Sequence, residues 1–214
     1  PIITNGLVYA LDFANSKTFN PASTTVASLV YNSGVGTASN LFSYYNYSVN
    51  FNTYDNSISG SKIIPAIDKY KSFTISWTAD IRSTDLGVVA SQNNNNVFLY
   101  IAQNSTTTIV GFYDSGSGNT FSAKGYSYSS LNQPTNYTWA YSSGSSTLYI
   151  NTVPVTSSFT TQSVNSIEQT GLLSTFNING QLNRASYFRE VFTGSLSDVT
   201  VYNRALSWDE IKYN

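Results

Sequence analysis

Ser72-Phe73-Thr74-Ile75-Ser76-Trp77-Thr78-Ala79-Asp80-Ile81-Arg82 decides the fold class. Phe73, Ile75, Trp77, Ala79 and Ile81 interleave with Thr74, Ser76, Thr78 and Asp80, and a period of two belongs to a strand with one face in a core and the other in water. The same alternation runs through Leu7 to Phe13, Val97 to Ile101, Thr108 to Tyr113 and Tyr137 to Tyr141, the last centred on Trp139. Polar turn chemistry separates these runs at Asn5-Gly6, Ser33-Gly34, Asn93 to Asn96, Asp114 to Asn119, Ser142 to Ser146 and Asn179-Gly180. Strands recurring roughly every 10 to 15 residues predict an all-β chain built as a two-sheet antiparallel β-sandwich.

Leu148-Tyr149-Ile150, Asn151-Thr152 and Val153-Pro154-Val155 read as a hairpin. Pro154 cannot donate to a ladder, which places the return strand at a sheet edge or a bulge. One short C-terminal helical turn is predicted from Ser207-Trp208-Asp209-Glu210, where Ser and Glu stand at capping-box spacing and Leu206 and Ile211 occupy the two places of a hydrophobic staple. No repeat of 20 to 50 residues or so and no linker interrupts the chain, so residues 1–214 are expected to form a single domain.

Composition excludes much chemistry. The chain has no His, Cys or Met, so thiolate nucleophiles, imidazole bases, thiolate zinc sites and disulfides are all ruled out. Ten Lys plus Arg against 11 Asp plus Glu leave no basic footprint for nucleic acid. No apolar run is long enough for membrane insertion. Only 10% of residues are charged, whereas Ser, Thr and Asn together number 82, so hydroxyls and amides solvate the surface. With net charge near zero such a surface favours association, including with copies of itself.

Few groups remain for catalysis or metal binding. A glycosidase needs two flanking carboxylates, but the three Glu (Glu168, Glu190, Glu210) are scattered, and Asp80 and Asp85 fall at odd spacing across a turn. These acids read as turn and cap residues, so no catalytic residue is expected. No cofactor is expected either, except that a calcium ion could draw on Asp114 with Asn119, or Asp12 with Asn15, at positions where Asx-turns also occur. Gly34-x-Gly36-x-x-Ser39 lacks the third glycine and the following helix of a phosphate loop, and reads as a turn.

The binding candidates are aromatic and amide clusters: Tyr44, Tyr45 and Tyr47; Asn93, Asn94 and Asn95; Tyr126 and Tyr128. Flat rings with polar tips beside Asn and Ser are the combination a glycan or a protein partner uses. Any single Tyr on an alternating strand is equally suited to packing inward.

The segment from Phe192 to Ile211, with Gly194-Ser195-Leu196 leading to Tyr202-Asn203-Arg204-Ala205-Leu206-Ser207 and then Glu210-Ile211, resembles the C-terminal signature of laminin-G-like, or concanavalin A-like, jelly-roll domains, particularly those of bacteriophage and bacterial surface proteins. Asn5-Gly6-Leu7-Val8-Tyr9-Ala10-Leu11-Asp12 is similar to that family's first strand, Ser72 to Trp77 to its central strand, and Thr147-Leu148-Tyr149-Ile150-Asn151 to its hairpin strand. Thr152 stands where members usually have Gly, which argues against a tight type I′ turn. The resemblance implies a jelly roll with its first and last strands adjacent, and structural roles for Tyr202, Asn203, Arg204, Ser207 and Glu210, with Arg204 pairing with a carboxylate or with strand-end carbonyls.

Members of that family differ in activity, so function rests on the site. The low charge and association-prone surface, together with the phage resemblance, give a first expectation of a non-enzymatic phage virion protein. It would be a capsid decoration, head-fibre or tail-associated component on the virion surface, partnered by other virion proteins or its own copies and touching host glycans. The alternative is a carbohydrate-binding, lectin-like module of a larger secreted or surface protein, located outside the cell or on its surface. A hydrolase ranks third.

Overall fold

A computed structural model of the chain describes residues 2–18, 20, 25–30, 35–39, 44–45, 48–51, 57–60, 72–82, 87–94, 97–114, 120–129, 133–142, 145–162, 176–178, 190–191 and 193–214. The strands among them are β1 (Leu7–Asp12), β2 (Thr25–Ala27), β3 (Val35–Ser39), β4 (Tyr44–Tyr45), β5 (Ser48–Phe51), β6 (Ser57–Gly60), β7 (Phe73–Ile81), β8 (Gly87–Asn94) and β9 (Val97–Gln103). They continue as β10 (Thr107–Asp114), β11 (Thr120–Ser127), β12 (Thr135–Ser142), β13 (Ser145–Ile150), β14 (Val153–Val155), β15 (Phe159–Gln162), β16 (Phe176–Ile178), β17 (Glu190–Val191) and β18 (Gly194–Tyr202), and the chain closes with helix α1 (Trp208–Tyr213). Among the described residues no helix is long and apolar enough to cross a membrane.

The strands form two sheets. The first runs β14-β13-β12-β7-β18-β5-β4, with β1 also paired to β18; the second runs β15-β11-β10-β9-β8-β16-β6-β3-β2, with β17 beside β8. All these pairings are antiparallel except β17 with β8. The first and last strands are neighbours, Leu11 opposite Val199. Pro154 lies on β14, the outermost strand of the first sheet, so its missing donor interrupts no inner ladder.

Alternation on β7 places Phe73, Ile75, Trp77, Ala79 and Ile81 inside, with Tyr137, Trp139 and Tyr141 of β12 on the same face. Trp77 stacks on Tyr137 at 5.5 Å and Phe73 meets Trp139 edge-on at 5.0 Å. The second sheet contributes Val89, Leu99, Ile101, Val110 and Tyr126. On β18 a bulge between Leu196 and Asp198 inserts Ser197, so that Leu196 and Val199, three residues apart, both face inward.

A polar bridge joins the two sheets through this core. Trp77 Nε1 donates to Gln103 Oε1 at 2.9 Å, and Gln103 Nε2 donates to Thr108 Oγ1 at 2.9 Å and to the Tyr128 hydroxyl at 3.1 Å. Gln103 is fully buried, and these bonds satisfy its amide where water cannot reach. A smaller cluster of Tyr202, Leu206 and Ile211, edged by Ile3, Leu7, Ala140 and Tyr149, seats α1 on the outward face of the first sheet.

Candidate functional site

The outward phase of the first sheet carries a run of polar side chains, of which Thr138 is buried. Cross-strand registers align Tyr149, Thr138, Ser76 and Thr200 in one row, and Asn136, Thr78, Asp198 and Asp12 in the next, where the Asn151 amide donates to Asn136 O at 2.9 Å. Neighbouring strands lie about 4.8 Å apart, so the rows form a lattice of hydroxyls, amides and carboxylates. The lattice is internally ordered: the Ser76 and Thr138 hydroxyls hydrogen-bond at 2.9 Å, and Asn136 Nδ2 donates to Ser76 Oγ at 3.2 Å and to Thr78 Oγ1 at 3.3 Å.

Carboxylates line one side. Asp198 and Asp12 are direct cross-strand neighbours. Burial pushes the Asp198 carboxyl above the usual range and the nearby Asp12 charge pushes the same way, while a hydrogen bond from Thr78 opposes them. Asp80, opposite Ser195, is tied to Arg82 at 3.0 Å. Asp12 Oδ1 already accepts the Ala14 amide at 2.9 Å, and Asn15 Oδ1 accepts that of Lys17 at 3.0 Å, so both oxygens expected to serve a calcium ion close Asx-turns. Among the described residues no group of three or more carboxylates gathers.

The opposite side is walled by α1 and the β13–β14 turn. Trp208 is 49% exposed, its Nε1 donates to Thr152 O at 3.0 Å, and the Lys212 ammonium sits 3.2 Å from its ring centroid. Asn151 and Thr152 have φ of 47° and 68°, the paired positive values of a type I′ turn, with Ile150 facing Val153. The tight turn that Thr152 argues against thus forms. It is held from outside, by the indole and by Asn151 Oδ1 accepting the Asn136 amide at 3.1 Å.

The C-terminal signature residues tie this wall down. Arg204 grips Glu210 bidentately at 2.8 and 2.6 Å and donates Nε to Asn5 O at 3.0 Å. Ser207 and Glu210 form the capping box, and the Glu210 carboxyl is held down at about 2 by the Arg204 guanidinium and the Ser207 amide. Tyr202 bonds Asn214 at 3.1 Å, and the Asn203 amide donates to Gly6 O at 2.8 Å.

Residues 55–212 match the laminin-G model of the concanavalin A-like lectin/glucanases superfamily. The chain belongs to that superfamily. Its concanavalin A-like fold is also that of solved botulinum neurotoxin binding domains. The serotype D binding domain superposes with a TM-score of 0.69 at 12% identity, over 97% of this chain and 51% of that one. A type C structure, described as dependent on two ganglioside molecules for cell entry, gives 0.70 at 13%, over 97% and 50%. The neurotoxin DC binding domain in complex with SialylT gives 0.64 at 12%, over 97% and 50%. The concanavalin A-like chain thus spans about half the length of each. No curated protein matches it.

Among the described residues the aromatic and amide candidates of this concanavalin A-like domain lie on separate strands. Tyr126 is 1% exposed and its hydroxyl donates inward to Ser146 O at 3.1 Å, so its ring is a core residue and not a stacking platform. Tyr128 is half-buried, and its hydroxyl is used by Gln103, Thr108 and Asn104. Asn93 and Asn94 are not a break but the end of β8, paired with Phe98 and Val97, at the opposite end of the second sheet from Tyr126. Tyr44 and Tyr45 form β4, at the edge of the first sheet. Tyr47, Asn95, Asn119, Asp85 and Glu168 lie outside the described residues.

The outward lattice was missed because its members come from strands far apart in sequence. The polar phase Thr74, Ser76, Thr78, Asp80 is visible in the sequence, but nothing there says that Asp198 and Asp12 lie beside Thr78. Trp208 stands in the sequence only between the capping residues Ser207 and Glu210, with no sign of its contact with Thr152.

Proposed function

We propose that the chain is a carbohydrate-binding, lectin-like module of a larger secreted or cell-surface protein, with residues 1–214 as one laminin-G-like unit. The observation that carries this reading is the outward lattice of the first sheet, in which hydroxyls and amides are held in register beside a half-exposed, anchored indole. Groups that both donate and accept, next to a rigid ring, suit a hydroxyl-rich ligand at low ordering cost. The superfamily's lectins, the type C neurotoxin whose cell entry depends on two ganglioside molecules and the binding domain in complex with SialylT support it by analogy of fold.

The domain is read as a binder and not a hydrolase. Asp12 and Asp198 are close, but each is engaged by the fold, through the Ala14 amide and the Thr78 hydroxyl. The phage virion reading, with virion proteins as partners, draws no support from the superfamily or from the neurotoxin domains, and the lectin reading takes its place.

The test is a panel of neutral and acidic glycans probed with the purified, folded chain. Saturable binding competed by free saccharide is the expected result; no binding to any glycan would overturn the proposal.

A further inference from the structure

The outward lattice also carries a specificity. Its groups divide into two kinds: the hydroxyls and amide of Ser76, Thr78, Asn136 and Thr200 in the middle, with Thr138 buried beneath them, and the carboxylates of Asp12 and Asp198 beside them. Among the described residues neither of these two carboxylates forms an ion pair, and the nearby guanidinium of Arg82 is committed to Asp80. Among the described residues the Asp12–Asp198 side of the face is therefore hydrogen-bonding and negative, and the Lys212 ammonium stands on the opposite wall, over Trp208.

We propose that this face selects neutral saccharides and rejects anionic ones, an inference that rests on the lectin reading and names its ligand class. Carboxylates accept hydrogen bonds from sugar hydroxyls, but they repel a sialic or uronic acid placed on the same rows. Asp12 and Asp198 face each other across one strand pair, so an anionic ligand would bring a third negative charge to a site where two are already crowded.

The experiment compares neutral oligosaccharides with their sialylated or uronic-acid counterparts on the wild-type chain and three variants. The wild type is expected to bind a neutral glycan at least about tenfold more tightly than its acidic counterpart. Thr200→Arg, in the middle of the face, abolishes that binding. Asn136→Ala, a milder truncation, weakens it severalfold and serves if the Arg variant fails to fold. Asp198→Asn, read as the ratio of neutral to acidic affinity, narrows the discrimination against acidic glycans. Preferential binding of acidic glycans, or neutral binding unchanged in both folded face variants, overturns this inference while leaving the lectin reading intact. Absence of all glycan binding overturns the lectin reading and this inference with it.

Discussion

The Trp208 indole and the Thr152 carbonyl are joined by a 3.0 Å hydrogen bond, and Thr152 is a β-branched residue held at φ 68°. A left-handed conformation costs an L-residue roughly 1–2 kcal/mol. Glycine avoids that strain but loses about 0.5–1 kcal/mol in chain entropy. Thr152→Gly is therefore expected to stabilise the fold by about 0.5 to 1 kcal/mol, and Trp208→Phe, which removes the donor, to destabilise it by about 1 kcal/mol. Urea titrations of both variants check this; a destabilised Gly variant would show that the turn carries no strain.

Gly6 makes the opposite case. Its φ is +80°, and a Cβ would meet Arg204 Cγ and Asn203 Oδ1 at 3.0 Å. Gly6→Ala is expected to lower stability by about 1–3 kcal/mol, through backbone strain and displacement of the Arg204 stem. A melting temperature equal to wild type would count against the tight packing of the N-terminal turn on Arg204.

Removing the amide bridge exposes the penalty for unpaired polar groups. Gln103→Leu leaves the buried Trp77 N–H without its acceptor, while Thr108 and Tyr128 retain their mutual contact at 3.2 Å. A loss of about 2–3 kcal/mol follows from one buried donor stranded in the core. Adding Trp77→Phe to the Gln103→Leu variant should recover a fraction of it. The double-mutant cycle by chemical denaturation measures both.

Two carboxyls give opposite pH signatures. Glu210, at about 2 in the folded state against roughly 4.3 in the unfolded chain, contributes stability that is complete above pH ~5 and lost as pH falls from there towards 2. Asp198, raised by burial, disfavours folding increasingly as pH rises through the carboxylate range. Melting temperatures across pH 2 to 7 should therefore show a shallower acid limb for Glu210→Gln, and a gain for Asp198→Asn at pH 7 that vanishes at about pH 3. A pH-independent gain for Asp198→Asn would mean that the charge is not its cause.

Much of this architecture is legible because strand alternation and capping are local. The phase of Phe73 to Ile81, the Ser207–Glu210 box and the edge position of Pro154 each follow from a few neighbouring residues. What escapes is set by pairing at a distance. Gln103 looks like the polar end of a strand, yet it meets Trp77 from the other sheet. Tyr126 looks like a surface ring until strand parity turns it inward. Asn151-Thr152 looks unfit for a type I′ turn because its support comes from Trp208, 56 positions further on.

Ile3 donates its amide to Asn214 Oδ1 at 2.7 Å, and Leu7 faces Tyr202 where β1 meets β18. Tension applied between those two corners meets the β1–β18 ladder at its Leu7–Tyr202 end and acts across the strands instead of along them. The rungs then open in succession, as in a zipper, where a sheared ladder would load them together. A domain pulled at this corner yields gradually, one rung after another.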